Sequence, residues 1–177
     1  MERDSEKARR VKGGRWSQGL FAVSLLAGVC LLLSSCKTTS AGFDYEPMRA
    51  RFVMEADRGG ALVTLPVSNV RIQVNSTAII TEYDLQDVSL AELEMGTCLR
   101  FTTTRRASRV LYQESASNQG KRMVLLVNGR PLGIQRIDRP IPDGVFHIFV
   151  ELPDAELPEL TRNLKGTSLD IQAKLNR

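Results

Sequence analysis

The sequence predicts an α+β fold in which a mostly antiparallel sheet carries two helices packed on one face. Three observations indicate this class: short alternating or apolar segments typical of strands recur along the chain, turn residues separate them, and the apolar spacing becomes helical in two segments. Runs of strands with only two interspersed helices favour an antiparallel sheet over a parallel one.

The N-terminal strands are predicted between residues 51 and 103. Residues 51–56 form the first, residues 57–60 provide a turn with two glycines, and residues 61–66 are expected to return beside the first strand. Residues 70–74 continue the alternation. Glu94-Met95-Gly96 then turns the chain into residues 98–103, which indicates a hairpin.

A helix is predicted over residues 104–118, with Thr104 as its N-cap. Its apolar positions keep helical spacing and are Ala107, Val110, Leu111 and Ala116. Residues 123–127 read as a short apolar strand. Asn128-Gly129 follows, and it predicts a type I′ hairpin turn because both central residues of that turn need positive φ.

The C-terminal part begins with a strand predicted over residues 145–150. Asp154 is expected to cap a helix over residues 155–164, and Gly166 to end it. Residues 167–175 are then expected to close the sheet as a last strand, because Leu169, Ile171 and Ala173 alternate on one face.

The N-terminus carries the pattern of a secretory signal: basic residues, then the 14 mainly apolar residues 20–33, then small residues before a cysteine. Leu33-Ser34-Ser35-Cys36 resembles the lipobox of bacterial lipoproteins, in which a diacylglyceryl group is joined to the cysteine sulfur and the chain is cut before that residue. The alternative is an uncleaved transmembrane helix, which needs about 20 apolar residues. The length favours the lipoprotein.

This resemblance implies a lipoprotein signal peptide in residues 1–35, a flexible tether in residues 36–49 and a single domain in residues 50–177. The resemblance also implies that the protein is attached to a membrane through lipid on Cys36. Lys37 after the cysteine resembles the outer-membrane signal of enterobacterial lipoproteins. The expected location is the cell membrane or the outer membrane, with the domain facing the periplasm or the exterior.

The charge does not indicate a nucleic-acid partner. Residues 1–35 hold 6 basic and 3 acidic residues, which leaves 18 against 17 in the remaining 142 residues. The mature domain is therefore nearly neutral, and neutrality together with export argues against nucleic-acid binding.

The residues that enzymes and metal sites need are scarce. His147 is the only histidine and stands in a strand-like run, and Cys98 lies in another such run. Neither the ligand spacing of a metal site nor a phosphate-binding loop is found, so no cofactor and no catalysis are predicted. An enzyme is therefore a weaker hypothesis for this chain than a binding protein or a structural protein.

One candidate partner-binding feature lies on the predicted 104–118 helix. Arg105, Arg106 and Arg109 would form a basic strip one turn wide. An ordinary solvated face is the simpler interpretation, and a site for acidic headgroups or polypeptide carboxylates is the functional one.

The run from residue 79 to 175 resembles the head of the first periplasmic domain of SecD, a membrane component of protein export. The resemblance depends on the order of Ser115-Ala116-Ser117-Asn118-Gln119-Gly120-Lys121, Val127-Asn128-Gly129 and Asp143-Gly144, followed by the helix after Asp154. The proline that the family usually carries on the strand after the Asn-Gly turn is missing, because Gly133-Ile134-Gln135-Arg136-Ile137 stands there. The transmembrane bundle of SecD, with its proton-coupling acids, has no counterpart either.

This resemblance implies a non-catalytic domain that binds other polypeptides and assists protein export. The expected protein partner is an exported polypeptide or an envelope protein. The alternative function is that of a structural or assembly lipoprotein of the cell envelope unrelated to export.

Overall fold

The computed structural model describes residues 44–177, so the signal segment and Cys36 lie outside the described residues. The strands are β1 (Ala50–Glu55), β2 (Ala61–Thr64), β3 (Arg71–Thr81), β4 (Leu85–Leu93), β5 (Gly96–Thr103), β6 (Arg122–Val127), β7 (Arg130–Arg136) and β8 (Val145–Val150). The α-helices are α1 (Arg105–Ser117) and α2 (Leu157–Leu175), and 3₁₀ turns cover Glu82–Asp84 and Asp154–Glu156. The predicted α+β class is confirmed.

The sheet is strongly curled. Its strand order is β2-β3-β1-β6-β7-β8-β5-β4, with every neighbouring pair antiparallel. Six strand spacings of about 4.8 Å would set β3 and β4 about 29 Å apart in a flat sheet. Only Glu82–Asp84 joins these two strands, and four residue steps reach at most about 14 Å. The sheet must therefore curl until β3 and β4 approach each other at this link.

The link itself is held by side-chain hydrogen bonds. The carboxylate of Asp84 accepts from the main-chain N–H of Thr81 at 3.0 Å and from its hydroxyl at 2.9 Å. The carbonyl of Asp84 accepts from the N–H of Thr104 at 2.8 Å, directly before α1. One residue thus ties the end of β3 to the start of α1.

The main core lies on the face that both helices cover. Three fully buried rings form its centre: Phe52 of β1 lies 4.9 Å from Phe101 of β5 and 5.0 Å from Phe146 of β8, edge to face in both cases. Leu111 of α1 and Leu164 of α2 belong to the same cluster. The ring contacts join strands several positions apart in the sheet, as the curl requires.

The end of the chain differs from its prediction. The predictions of a helix that ends at residue 164 and of a strand over residues 167–175 are both wrong, because α2 continues without a break to Leu175. Gly166 does not end the helix; a Cβ atom there would lie 2.4 Å from ring atoms of Tyr45, so the glycine makes room for that ring. Asp154 begins the 3₁₀ turn, and Glu156 is the α2 N-cap residue.

Residues 44–49, which belong to the predicted tether, lie along α2. The N–H of Glu46 donates to Asn163 at 3.0 Å, and the N–H of Met48 donates to Thr167 at 2.9 Å. Burial, together with a hydrogen bond to Asp170, raises the pKa of Tyr45 to about 12. We call this segment the strap.

The pairing of β2 also differs from its prediction. Residues 61–66 were expected to return beside the first strand, but β2 pairs with β3, and β3 lies between β2 and β1. The four residues of β2 are mostly exposed, which suits an edge strand. β3 has eleven residues and can pair along both of its sides.

The β2–β3 hairpin covers part of the sheet face that the helices leave open. Val53, Ile72, Val74 and Val124 form a second, smaller core there. Glu151 holds the hairpin tip, since its carboxylate accepts from the N–H groups of Val67 at 2.8 Å and Ser68 at 3.0 Å. Burial opposes ionisation of Glu151, but these hydrogen bonds prevail and lower its pKa.

The hydrogen bonds at the β3–β4 link should matter for stability. We expect Asp84→Ala to lower the free energy of unfolding by about 1–3 kcal/mol, because two donors on Thr81 lose their acceptor. Urea denaturation of residues 37–177 measures it. The control is Asp138→Ala, which removes an exposed ion pair with Arg136 and should cost less than about 1 kcal/mol. Equal losses would show that the link is not specially stabilised.

The Asn128-Gly129 turn has the conformation that the sequence predicts, with φ of 50° and 81°. A β-branched residue is strained at such angles, so Gly129→Val should lower the free energy of unfolding by about 1–3 kcal/mol. Gly129→Asn is the matched control, because asparagine tolerates positive φ, and it should cost clearly less. A valine variant that unfolds at the parent's urea midpoint would contradict the expected strain.

Candidate functional site

Helix α1 starts where the sequence predicts. The hydroxyl of Thr104 accepts from the N–H of Ala107 at 3.3 Å and caps the helix. Ala107, Leu111 and Ser115 are its buried residues, whereas Val110 and Ala116, which the spacing placed on the apolar stripe, are exposed. Ser115 replaces them in the core because its hydroxyl is satisfied there, accepting from the N–H of Ile141 at 2.9 Å and donating to the carbonyl of Tyr112 at 3.1 Å.

Arg105, Arg106 and Arg109 are all exposed on α1. At 3.6 residues per turn they fall within about 100° of the helix surface. None of the three forms an ion pair with another residue of the described chain. The structure therefore brings the predicted basic strip together as one open cationic surface.

The position of these cations is electrostatically unfavourable for the helix. Arg105 and Arg106 occupy the first turn, which holds no acidic residue. The N-terminal end of a helix carries partial positive charge, so each cation there opposes the helix dipole by about 0.3–1 kcal/mol. Helix stability does not explain the strip, whereas an anionic ligand would gain from both the guanidinium groups and the dipole.

Two other arginines of the described residues, Arg122 and Arg136, form ion pairs within the domain. Arg122 of β6 donates from Nε to the carboxylate of Glu55 of β1 at 2.9 Å, and its main-chain N–H donates to the same oxygen at 3.0 Å. The side-chain hydrogen bond from Arg122 holds the pKa of Glu55 below its ordinary value and raises that of Arg122. This pair joins two neighbouring strands and has a structural role.

A loop next to the strip connects β7 and β8. The hydroxyl of Ser108 on α1 donates to the carbonyl of Pro142 at 3.4 Å, and the N–H of Thr103 donates to the carbonyl of Gly144 at 3.0 Å. A shallow cavity of about 440 Å³ lies where the loop meets the helix, lined by Ser108, Arg109, Tyr112, Gln113 and Pro142. Tyr112 thus adds an exposed ring beside the basic strip.

The same loop lines a second cavity, of about 460 Å³. Residues 135–143 and 145–147 line it, so we call it the β7–β8 cavity. His147 is in its wall, half-buried. Gln135 is there too, and its Oε1 atom is buried without a hydrogen-bond partner in the described structure. Leaving such an atom unpaired costs about 1–3 kcal/mol.

The remaining predicted chemical groups lie elsewhere. Cys98 is buried in β5, where its thiol donates to the carbonyl of Ala91 at 3.4 Å, and burial raises its pKa. Within residues 44–177, no group of His, Cys, Asp and Glu is arranged to hold a metal ion. In the same part of the chain, no helix has the length and apolar character to cross a membrane.

The fold and this surface define an α+β domain with an open cationic strip beside a polar cavity. A crystal structure of SecDF in a super-membrane-facing form aligns with a TM-score of 0.56 and 19% identity, covering 68% of this chain and 19% of that one. A second SecDF structure, described as a membrane component that enhances protein export, aligns with a TM-score of 0.55 and 16% identity, covering 90% of this chain and 73% of that one.

These likenesses establish a SecDF-like periplasmic-domain fold. The chain spans about a fifth of the first of these structures, so it corresponds to a single part of that protein. No protein-family model and no curated protein matches the sequence.

Proposed function

We propose that this chain is a lipid-anchored envelope protein whose domain binds other polypeptides without catalysis and assists protein export. The exposed Arg105, Arg106 and Arg109 strip carries the proposal for a binding surface. The three cations lack ion-pair partners in the described structure, and Arg105 and Arg106 oppose the helix dipole, which a purely structural surface does not need.

The fold supports the link with export. The domain shares its architecture with periplasmic domains of SecDF, one of which belongs to a component described as enhancing protein export. The motifs behind the sequence resemblance also occupy real turns. Gly120, Gly129 and Gly144 all have positive φ, at 84°, 81° and 71°. The glycines of the motifs that resemble the SecD head therefore adopt turn conformations in this domain.

The lipobox supports the membrane attachment. Eight residue steps separate Cys36 from Asp44, and they can span at most about 29 Å. The strap that follows is hydrogen-bonded to α2. An acylated Cys36 would thus keep the domain near the bilayer surface, where polypeptides emerge from a translocation channel.

Lipid attachment is tested at the cysteine itself. We expect Cys36→Ser to lose incorporation of labelled palmitate and to leave the signal uncut or the protein released from membranes, because the thiol is the acyl acceptor. Cys30→Ser, in the apolar segment, is the matched control and should keep the label. Label retained in Cys36→Ser would contradict the lipoprotein hypothesis.

The cationic strip is tested by charge reversal. We expect Arg105→Glu, Arg106→Glu and Arg109→Glu together to weaken binding of an unfolded acidic peptide at least about tenfold at low salt, and the difference should shrink as salt is raised. Fluorescence anisotropy measures the affinity. Arg51→Glu with Arg58→Glu and Arg71→Glu, also exposed but on other elements, is the control for net charge.

The non-catalytic part of the proposal is tested at His147. We expect His147→Gln to leave complementation of a deletion strain nearly unchanged, because a polypeptide binder needs no neutral-pH base. Circular dichroism verifies the fold of the variant. Loss of function in a folded His147→Gln protein would favour an enzyme.

In the charge-reversal experiment, a triple-arginine variant that binds like the parent would instead favour a structural envelope lipoprotein.

A further inference from the structure

The ladder between β7 and β8 is unusually short. β8 pairs with β5 over four positions but with β7 at only two, Gly133 with Val150 and Ile134 with Phe149. Beyond Ile134 the two strands separate, and the β7–β8 cavity occupies the space that follows. The sheet therefore has a gap in its interior, between two strands that are both well paired on their other sides.

The register shows which main-chain groups face this gap. The carbonyl of Gly144 accepts from Thr103 of β5. Main-chain groups alternate in direction along a strand, so those of His147 point away from β5 and toward β7. On the other side, the carbonyl of Leu132 accepts from Glu151, and the same alternation directs the groups of Arg136 toward β8.

Arg136 and His147 would form the next hydrogen-bonded pair of the ladder, and no pair forms there. Their main-chain donors and acceptors are left facing the cavity without a strand partner. Gln135, the residue before Arg136, also lines the cavity and adds its buried, unpartnered Oε1 atom. The interrupted ladder and the unpartnered side-chain oxygen thus place unused hydrogen-bonding capacity at one site.

We propose that the β7–β8 cavity binds an extended polypeptide segment through its main chain. This inference rests on the proposed function, since it gives the polypeptide-binding domain a specific site. The bound segment pairs with the free main-chain groups of Arg136 and His147, and one of its N–H groups donates to Gln135. Peptide recognition by β-strand addition uses the same main-chain hydrogen bonds.

The charges of the cavity favour main-chain recognition over binding of an ion. Arg136 and Arg139 line it together with Asp138 and Asp143, so opposite charges balance. Arg136 and Asp138 also pair with each other at 3.3 Å. A ligand chosen by net charge gains little here, whereas alternating donors and acceptors suit a peptide of any sequence.

The cavity lies next to the cationic strip. Pro142 lines both the β7–β8 cavity and the shallow cavity beside Arg109. A segment held at β7 and β8 can therefore continue across the loop toward α1, where acidic side chains meet the arginines. Main-chain pairing in the cavity provides tolerance of sequence, and the strip adds a preference for acidic segments.

The test compares two unfolded 12-residue peptides, one neutral and one acidic, on the full chain purified from membranes in detergent. We expect the neutral peptide to bind and to slow amide hydrogen exchange at Arg136 and His147. Gln135→Leu should weaken its binding about five- to tenfold, because the peptide loses an acceptor. Gln73→Leu, at an exposed position of β3, is the matched control and should bind like the parent.

A second arm needs no variant. The neutral peptide with alternate main-chain nitrogens methylated keeps its side chains but loses donors, and it should bind at least about tenfold more weakly. Equal binding of the methylated peptide, or unchanged exchange at both amides, would overturn the inference.

The failures can be told apart. If only the acidic peptide binds and the triple arginine reversal abolishes its binding, the domain is a polypeptide binder without this site. If neither peptide binds, the proposed function fails and this inference fails with it.

Discussion

The short link between β3 and β4 is the constraint on which the rest of the domain depends. Three residues join strands that stand second and eighth in the sheet, so the sheet has to curl. The curl brings Phe52 of β1 within 5.0 Å of Phe146 of β8, although two other strands lie between them. The aromatic centre of the core is thus a consequence of chain connectivity. Asp84 stabilises the link and contacts the residue that caps α1.

The candidate site lies on the surface, where α1 meets the loop between β7 and β8. Asp84 and Thr104 fix the start of α1, and Ser115 with Ser108 fixes the β7–β8 loop against the helix. The loop occupies the region where β7 and β8 diverge. The arginine strip and the β7–β8 cavity therefore both adjoin one loop that the core holds in place. Their proximity is a property of the fold, since the arginines and Gln135 are far apart in sequence.

Much of the local structure could be predicted because its causes are local. The Asn128-Gly129 turn needs only two residues that accept positive φ, and both adopt it. Helix α1 needs a cap and an apolar period, which Thr104, Ala107 and Leu111 provide. The spacing of its three arginines is likewise enough to predict that they lie on one side of the helix. The lipid attachment at Cys36 stays a prediction of the sequence.

The sequence by itself determined the α+β class, most strand and turn positions and the cationic face of α1, because periodicity and turn chemistry act between near neighbours. The position of Gly166 inside a helix could not be predicted locally, since the ring that it accommodates belongs to Tyr45, distant in the chain. The strand partners also depend on contacts between distant segments: β3, and not β2, pairs with β1. The unpaired Gln135 and the gap beside it also depend on where two strands diverge. Contacts between distant segments determine such features, and no local pattern carries them.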